Sequence, residues 1–132
     1  MTLDAEDVNH LTPPEIQLIH DHVIAHTGGL KGNRPGMSVE AVIFRVHTKI
    51  LYSNFRSIVE IGAFYAEAIA KGHVFNDGNK RTALISMITF LGVNGLTTDL
   101  DQTVLADKMV DLASSKIDYK TFAFWVERFT RP

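Results

Sequence analysis

The sequence contains no cysteine among its 132 residues. Disulfide scaffolds, thiol nucleophiles and cysteine-ligated zinc sites are therefore excluded. Excess positive charge is also missing, since 13 lysines and arginines stand against 15 acidic residues and give a formal net charge of −2. Domains that bind nucleic-acid backbones are usually strongly basic. The composition thus argues against direct binding of nucleic acid.

Long apolar runs are absent as well. No uninterrupted hydrophobic stretch approaches the roughly 18 residues that a membrane-spanning helix needs. The first ten residues, MTLDAEDVNH, are acidic and polar, which is unlike a signal peptide. We therefore expect no membrane partner and a cytoplasmic location.

What is present fits one globular domain. Hydrophobic residues make up 45% of the chain, an ordinary share for a packed core, and the length predicts a single domain over residues 1–132. Apolar side chains recur at three- and four-residue steps along nearly the whole chain, which is the helical period. Thr12 with Glu15, and Ser57 with Glu60, have the spacing of capping boxes. The predicted fold class is all-α, a bundle of about six helices.

Each predicted helix has an apolar face toward the core, and residues 96–100 are expected to be briefly extended. The side chains predicted to face the core are Ile16, Ile19, Val23, Val39, Val42, Ile43, Val46, Ile50, Ile58, Ile61, Tyr65, Ile69, Leu84, Ile88, Leu91, Leu105, Met109, Leu112, Phe122, Trp125, Val126 and Phe129. The first helix also carries His20, His22 and His26. His22 and His26 have a spacing that can bind a metal ion, but no glutamate follows His22 to form H-E-x-x-H. We expect solvated histidines.

One connector carries more chemistry than a turn requires. Residues 72–81 read Gly-His-Val-Phe-Asn-Asp-Gly-Asn-Lys-Arg and lie between two apolar helical segments. A helix connector in a bundle needs only a turn and a cap, whereas this one holds an imidazole, a carboxylate, amides and two cations. A plain turn explains any one of these residues but not the whole set in this order. We interpret residues 72–81 as an active-site loop, with Phe75 entering the core to fix its path.

The start of the following helix suits an anion. The first turn of a helix leaves backbone N–H groups unpaired and carries partial positive charge. Gly78 permits positive φ and a close approach of the backbone to a ligand, and Lys80 and Arg81 add formal charge. These features favour a polyphosphate, which usually brings Mg²⁺, and Asp77 is the carboxylate at hand. His73 is placed to take a proton from an incoming hydroxyl.

At these residues the chain resembles a known family. The string from His73 to Arg81 is similar to the H-x-F-x-D-x-N-K-R motif of the death-on-curing (Doc) toxins, a branch of the Fic (Fido) family. Further similarity lies in Gly28-Gly29 with the loop after it, in Pro35-Gly36-Met37 and in Ala106-Asp107. The resemblance covers nearly the whole chain and implies a single-domain, Fic/Doc-like helical bundle. The loop matches neither a Walker A motif nor the motifs of ordinary protein kinases.

Three departures from the Fic pattern bear on the reaction. Typical Fic enzymes carry H-P-F-x-D/E-G-N-G-R-x-x-R and transfer AMP from ATP onto a protein hydroxyl. Here Val74, Lys80 and Leu84 replace the proline, the second glycine and the second arginine. Doc toxins resemble this chain at 80 and 84, bind the nucleotide the other way round and transfer the γ-phosphate. The resemblance therefore implies a Doc-like Ser/Thr protein kinase, although Gly78 also fits the Fic pattern and keeps AMP transfer as an alternative.

The resemblance also implies a role for each site residue. His73 would be the catalytic base that activates the target hydroxyl, and Asp77 would hold Mg²⁺. The phosphates of ATP would be bound by Gly78, Asn79, Lys80 and Arg81. Residues 28–37 resemble the flap of the family, which lines up the target peptide.

The partners that the resemblance implies are a target and an antitoxin. A Doc-like protein is the toxin of a type II toxin–antitoxin system, and its target is elongation factor Tu, whose phosphorylation halts protein synthesis. Fic proteins are often restrained by a helix with the motif S/T-x-x-x-E-G/N, which does not occur in these 132 residues. We therefore expect restraint by an antitoxin whose C-terminal segment folds onto this chain. The alternatives are a Fic-type AMP transferase and a non-catalytic binding module.

Overall fold

The computed structural model describes residues 7–132. In that range the chain forms six helices and one pair of short antiparallel strands, so the all-α prediction is confirmed. The elements are α1 (Pro13–Thr27), α2 (Val39–Tyr52), α3 (Ile58–Gly72), α4 (Asn79–Val93), β1 (Thr97–Thr98), α5 (Gln102–Ala113), α6 (Tyr119–Glu127) and β2 (Thr130–Arg131). Strand β1 lies in the segment predicted to be extended. None of these helices combines the length and apolar character that crossing a membrane requires.

Five of the six helices begin at a side chain that accepts a hydrogen bond from their first turn. These residues are Thr12, Ser38, Ser57, Asp101 and Asp118. The predicted capping box is complete at α1, whereas at α3 only the serine half of the predicted box forms. Such caps are visible in a sequence because donor and acceptor are two or three residues apart. Helix α4 is the exception and has no capping side chain.

Helix α3 is the centre of the bundle. It packs against α2, α4, α5 and α6, and 12 of its 15 residues are buried. The periodicity predicted a one-sided helix with Ile61, Tyr65 and Ile69 inward. These three are buried, but so are the other faces, which are rich in glycine and alanine. At Gly62 an added Cβ would lie 3.1 Å from Leu91 of α4, so the small residues allow the neighbouring helices to approach closely.

The other predicted core residues are buried or partly buried. Those that are only partly buried are Ile19, Ile50, Ile58, Ile88, Trp125 and Phe129. The rest of the predicted set is buried. The helical period therefore located these core residues, because apolar side chains at three- and four-residue steps lie on one face of a helix.

The segment before α1 holds the C-terminal end of α4. The side-chain amide of Asn94, the residue after α4, donates to the carbonyls of Phe90 and Asn9, each at 2.8 Å. Its Oδ1 accepts from the backbone N–H of Asn9 at 2.9 Å. The next residue, His10, places Nδ1 2.7 Å from the hydroxyl of Tyr65 in α3. This end of α4 is thus closed by the protein's own groups.

Candidate active site

The connector between α3 and α4 is shorter than predicted. Helix α3 includes Gly72, and α4 begins at Asn79, so the connector is residues 73–78 and the last three predicted loop residues form the first turn of α4. His73 follows α3 in the left-handed conformation, with φ of 51°, which is uncommon outside glycine. Its side chain is exposed, so the imidazole is accessible to a ligand.

Phe75 anchors the middle of the connector, as predicted. Its ring is 1% exposed and lies nearly parallel to the imidazole of His20, with ring centroids 3.8 Å apart. His20 is also 1% exposed, so the expectation of a solvated histidine is wrong for this residue. The physical reason is its position on α1, where it shares the buried face with Ile16 and Val23.

Asn79 ties the first turn of α4 back to the connector. Its Oδ1 accepts from the backbone N–H of Phe75 at 3.1 Å, and its Nδ2 donates to the carbonyl of Phe75 at 2.9 Å. The side chain thus bonds both main-chain groups of Phe75 and fixes the position of the connector relative to the first turn of α4. Any bond from Asn79 to a phosphate would most simply come from its main-chain N–H.

Gly78 directly precedes α4 and has no side chain to cap the helix. Its φ of 81° lies in the left-handed region that favours glycine. An added Cβ would point toward α1 and lie 3.2 Å from Cδ1 of Ile24, so the missing side chain lets the connector pack closely against α1. With no side chain at the cap, the first N–H groups of α4 receive no acceptor from it.

Residues 28–37 pair with the connector and do not stand free. The N–H of Arg34 donates to the carbonyl of Val74 at 2.7 Å, and the N–H of Asn76 donates to the carbonyl of Gly32 at 3.0 Å. The resemblance implies a flap here. These long-range main-chain bonds fasten it to the candidate site, and no short sequence window contains them.

Asp77 joins the same segment to the site through its side chain. Its Oδ2 accepts from the N–H of Leu30 at 2.7 Å. Within residues 7–132 its other oxygen, Oδ1, has no hydrogen-bond partner. At Gly29, an added Cβ would lie 3.2 Å from the Asp77 Cβ, so a larger residue would press on the carboxylate. One oxygen of Asp77 therefore positions the loop, and the other has no hydrogen-bond partner among the described residues.

All six predicted site residues meet at one cavity of about 500 Å³, within the usual size of small-molecule sites. They are His73, Asp77, Gly78, Asn79, Lys80 and Arg81. The two cations are exposed, and within residues 7–132 neither has a carboxylate within ion-pair distance. The cavity therefore combines unopposed positive charge with one imidazole and one carboxylate.

Protein groups for a metal ion are few. In the described part of the chain no three or more histidine, aspartate or glutamate side chains gather at one point. The rings of His22 and His26 lie 4.0 Å apart on the exposed side of α1, without a third such group. Asp77 would thus supply a single carboxylate, which suits Mg²⁺ because that ion keeps most of its water.

Comparison with known proteins identifies the family of the chain. A model of the Fic/DOC family matches residues 10–91, which include the connector and the first turn of α4. The chain belongs to the Fic/DOC family. It is 38% identical over 121 residues to "Protein kinase doc" of Escherichia phage P1, which covers 92% of this chain and 95% of that protein. It is 31% identical over 102 residues to "Toxin Doc" of Mycolicibacterium smegmatis, 76% of this chain and 78% of that protein. The resemblance to the Doc branch is confirmed.

One wall of the cavity in this Fic/DOC chain was missed by the sequence analysis. Val110 and Ala113 of α5, with Ser114 after it, line the cavity together with Ala70 of α3. Val110 is 50% exposed and lies off the buried face of α5. An apolar side chain on a face predicted to meet water was the available signal, but only the packing of α5 beside α4 places it at the site.

Proposed function

We propose that the protein is the toxin of a type II toxin–antitoxin system, a kinase that transfers the γ-phosphate of ATP to a Ser/Thr hydroxyl of elongation factor Tu. The observation that carries this proposal is the N-terminal end of α4. It has no capping side chain and two exposed cations, and it shares a cavity with one carboxylate and one imidazole. The name of the phage P1 relative, "Protein kinase doc", supports a phosphoryl transferase.

The phosphate chain of ATP fits the first turn of α4. The open N–H groups and the helix dipole favour negative charge there, and Lys80 and Arg81 line the same cavity. An arginine guanidinium can bind two phosphate oxygens at once. The apolar wall formed by Ala70, Val110 and Ala113 suits the flat face of a nucleotide base. Charge on one side and apolar surface on another are what a nucleotide needs.

Asp77 would hold Mg²⁺ through the carboxylate oxygen that the protein leaves without a partner. Mg²⁺ binds through one or two carboxylates together with substrate phosphates and water, and a single acidic side chain at a phosphate site meets that requirement. When bound, the ion would neutralise charge on the phosphates. The bond from Leu30 to the other oxygen holds the carboxylate in place before any ligand arrives.

His73 would act as the general base. Its exposed imidazole takes the proton of the target hydroxyl, the hydroxyl oxygen forms a bond to the γ-phosphorus, and the bond from that phosphorus to the β–γ bridging oxygen breaks to leave ADP. A placed general base contributes about 10²–10⁴ in rate. The remaining acceleration of a phosphoryl transfer comes mainly from positioning and neutralisation of charge.

Lys80 and Leu84 favour γ-phosphate transfer over AMP transfer. Lys80 stands in the first turn of α4, where AMP-transferring Fic enzymes have glycine. Leu84 is 5% exposed and packed in the core, and after Arg81 helix α4 has no further lysine or arginine. Helix α4 therefore lacks the second arginine that would bind a phosphate of ATP in an AMP-transferring Fic enzyme.

Restraint by a separate antitoxin is part of the proposal. A translation-arresting kinase would harm its own cell, and the inhibitory motif of many Fic proteins does not occur in the sequence. Both relatives carry the name Doc, and one is called a toxin. We infer that an antitoxin segment that folds on binding covers the site. Isolation of the native protein without a small partner would contradict this inference.

The decisive experiment uses ATP labelled with ³²P at the γ or at the α position, in parallel. Each label is incubated with the protein, Mg²⁺ and purified elongation factor Tu, and then with a cell-free translation extract. We expect label on elongation factor Tu from γ-labelled ATP alone. Label from the α position would establish AMP transfer, and no label from either position, with a folded protein, would favour a binding module.

A further inference from the structure

His20 joins α1 to the connector by two contacts. Its Nε2 lies 2.8 Å from the carbonyl oxygen of Asp77, and its ring stacks on Phe75. Because a carbonyl oxygen can only accept, Nε2 carries the proton and donates it. The other ring nitrogen, Nδ1, is buried without a hydrogen-bond partner in the described part of the chain, and Oδ1 of the exposed Asp21 lies 3.7 Å from it.

Packing alone does not explain this residue. A buried nitrogen without a partner lowers stability, and a leucine at position 20 would cover the inward face of α1 without that penalty. A buried unsatisfied group in a native protein therefore requires another reason. Within residues 7–132 the only hydrogen bond of the His20 side chain goes to the Asp77 carbonyl, so the peptide after Asp77 is the group that His20 can position.

The bond from His20 sets the direction of the peptide between Asp77 and Gly78. None of the described peptide bonds is cis, and in a trans peptide the C=O and N–H groups point in opposite directions. With the Asp77 carbonyl turned toward α1, the N–H of Gly78 points away from α1. The cavity is lined by Gly78 and by no residue of α1, and this N–H has no acceptor within residues 7–132.

We propose that His20 is a positioning residue for the anion site. It holds the 77–78 peptide so that the N–H of Gly78 joins the open N–H groups of α4 in binding phosphate, and so that the Asp77 carboxylate stays at the cavity. Successive N–H groups around a left-handed residue form a concave anion site of this kind. The catalytic part of this inference rests on the proposed function, whereas the orientation of the peptide can be measured without it.

The test compares two amides that differ only in reach. In His20→Gln the side-chain N–H₂ can occupy the place of Nε2, whereas in His20→Asn it is one methylene too short. His20→Leu keeps apolar packing and has no donor. Tyr65→Phe is the matched control, because it removes a buried hydroxyl that bonds His10 and leaves the connector untouched. For each variant, kcat, KM for MgATP, the folded fraction and the Asp77 carbonyl ¹³C and Gly78 amide NMR shifts are measured.

We expect His20→Asn and His20→Leu to lower kcat/KM about 10²-fold, the size of a small misplacement of reacting groups. Their KM for MgATP should rise, and their Asp77 and Gly78 resonances should move. His20→Gln should stay close to wild type in kcat/KM, in KM for MgATP and in both resonances. A purely structural role would reduce apparent kcat with the folded fraction and leave KM unchanged. That result, or equal kinetics and shifts in the Gln and Asn variants, would overturn the proposal. If wild type transfers no phosphate, the proposed function fails, and the NMR shifts still decide the orientation of the peptide.

Discussion

The two ends of α4 differ in whether a side chain of the protein makes hydrogen bonds to them. At the C-terminal end, the Asn94 side chain makes three hydrogen bonds, to Phe90 and to both main-chain groups of Asn9. At the N-terminal end, Gly78 provides no side chain, and the first turn opens into a cavity beside Lys80 and Arg81. The C-terminal end of α4 is thus hydrogen-bonded by a side chain of the protein, whereas the N–H groups at its N-terminal end have no capping side chain.

The two ends of α4 should contribute differently to stability and to function. A helix end that the chain itself closes contributes to the free energy of unfolding, whereas an open end keeps its donors for a ligand. Substitutions of the exposed cations at the N-terminal end of α4, Lys80 and Arg81, should therefore change activity and leave stability nearly constant. Substitutions at the C-terminal end should do the reverse.

The largest effect is expected at the base. His73→Ala should lower the rate of γ-phosphate transfer by about 10²–10⁴, because no group then takes the proton of the hydroxyl. The control is His22→Ala, which removes an exposed histidine of α1 away from the cavity. Transfer is measured with γ-labelled ATP, and folding by circular dichroism. Wild-type activity in the His73 variant would contradict the role of His73 as the general base.

The next effect concerns phosphate binding. Arg81→Ala should weaken MgATP binding about 10- to 100-fold, since a hydrogen bond to a charged group contributes about 1.5–3 kcal/mol. The melting temperature without nucleotide should stay near that of wild type, because the side chain is exposed. Arg45→Ala, an exposed arginine on α2, is the matched control. Calorimetric titration with equal affinities for both variants would break the comparison of the two helix ends.

At the closed end the effect should fall on stability. Asn94→Ala removes three hydrogen bonds that connect α4 to the segment before α1, and it should lower the free energy of unfolding by about 1–3 kcal/mol. Affinity for MgATP should not change. Urea denaturation and calorimetric titration measure the two quantities. If Asn94→Ala weakened nucleotide binding and left stability unchanged, the C-terminal end of α4 would not have the structural role described here.

The smallest effect is a pH dependence near the closed end. Burial, and next the neighbouring His47, lower the pKa of His10 below its usual value. Above the usual value of about 6.5 the ring is neutral in both states and contributes no pH dependence. Below it the unfolded chain takes up a proton that the folded chain resists, so stability falls as the pH drops. Urea denaturation at several pH values should show a shallower fall for His10→Gln, and an equal fall would contradict the assignment.

The sequence predicted the features that depend on near neighbours. The helices, the side-chain caps at Thr12 and Ser57 and most of the core follow from the helical period and from residues a few positions apart, and Phe75 was correctly expected in the core. The burial of His20 was missed although this residue shares the buried face of α1 with Ile16 and Val23, and its bond to a carbonyl 57 residues away was not foreseen. The pairing of residues 28–37 with the connector and the wall from α5 were not foreseen either. Each depends on which elements meet in space, and no local pattern encodes that.

The central claim is that the open end of α4 binds a phosphate chain, and an NMR titration tests it most directly. Uniformly ¹⁵N-labelled protein is titrated with MgATP while the backbone amide shifts are followed. We predict the largest amide shifts at residues 78–81 and almost none at Asn94. Saturable binding that leaves residues 78–81 unmoved, or no binding by the folded protein, would contradict it.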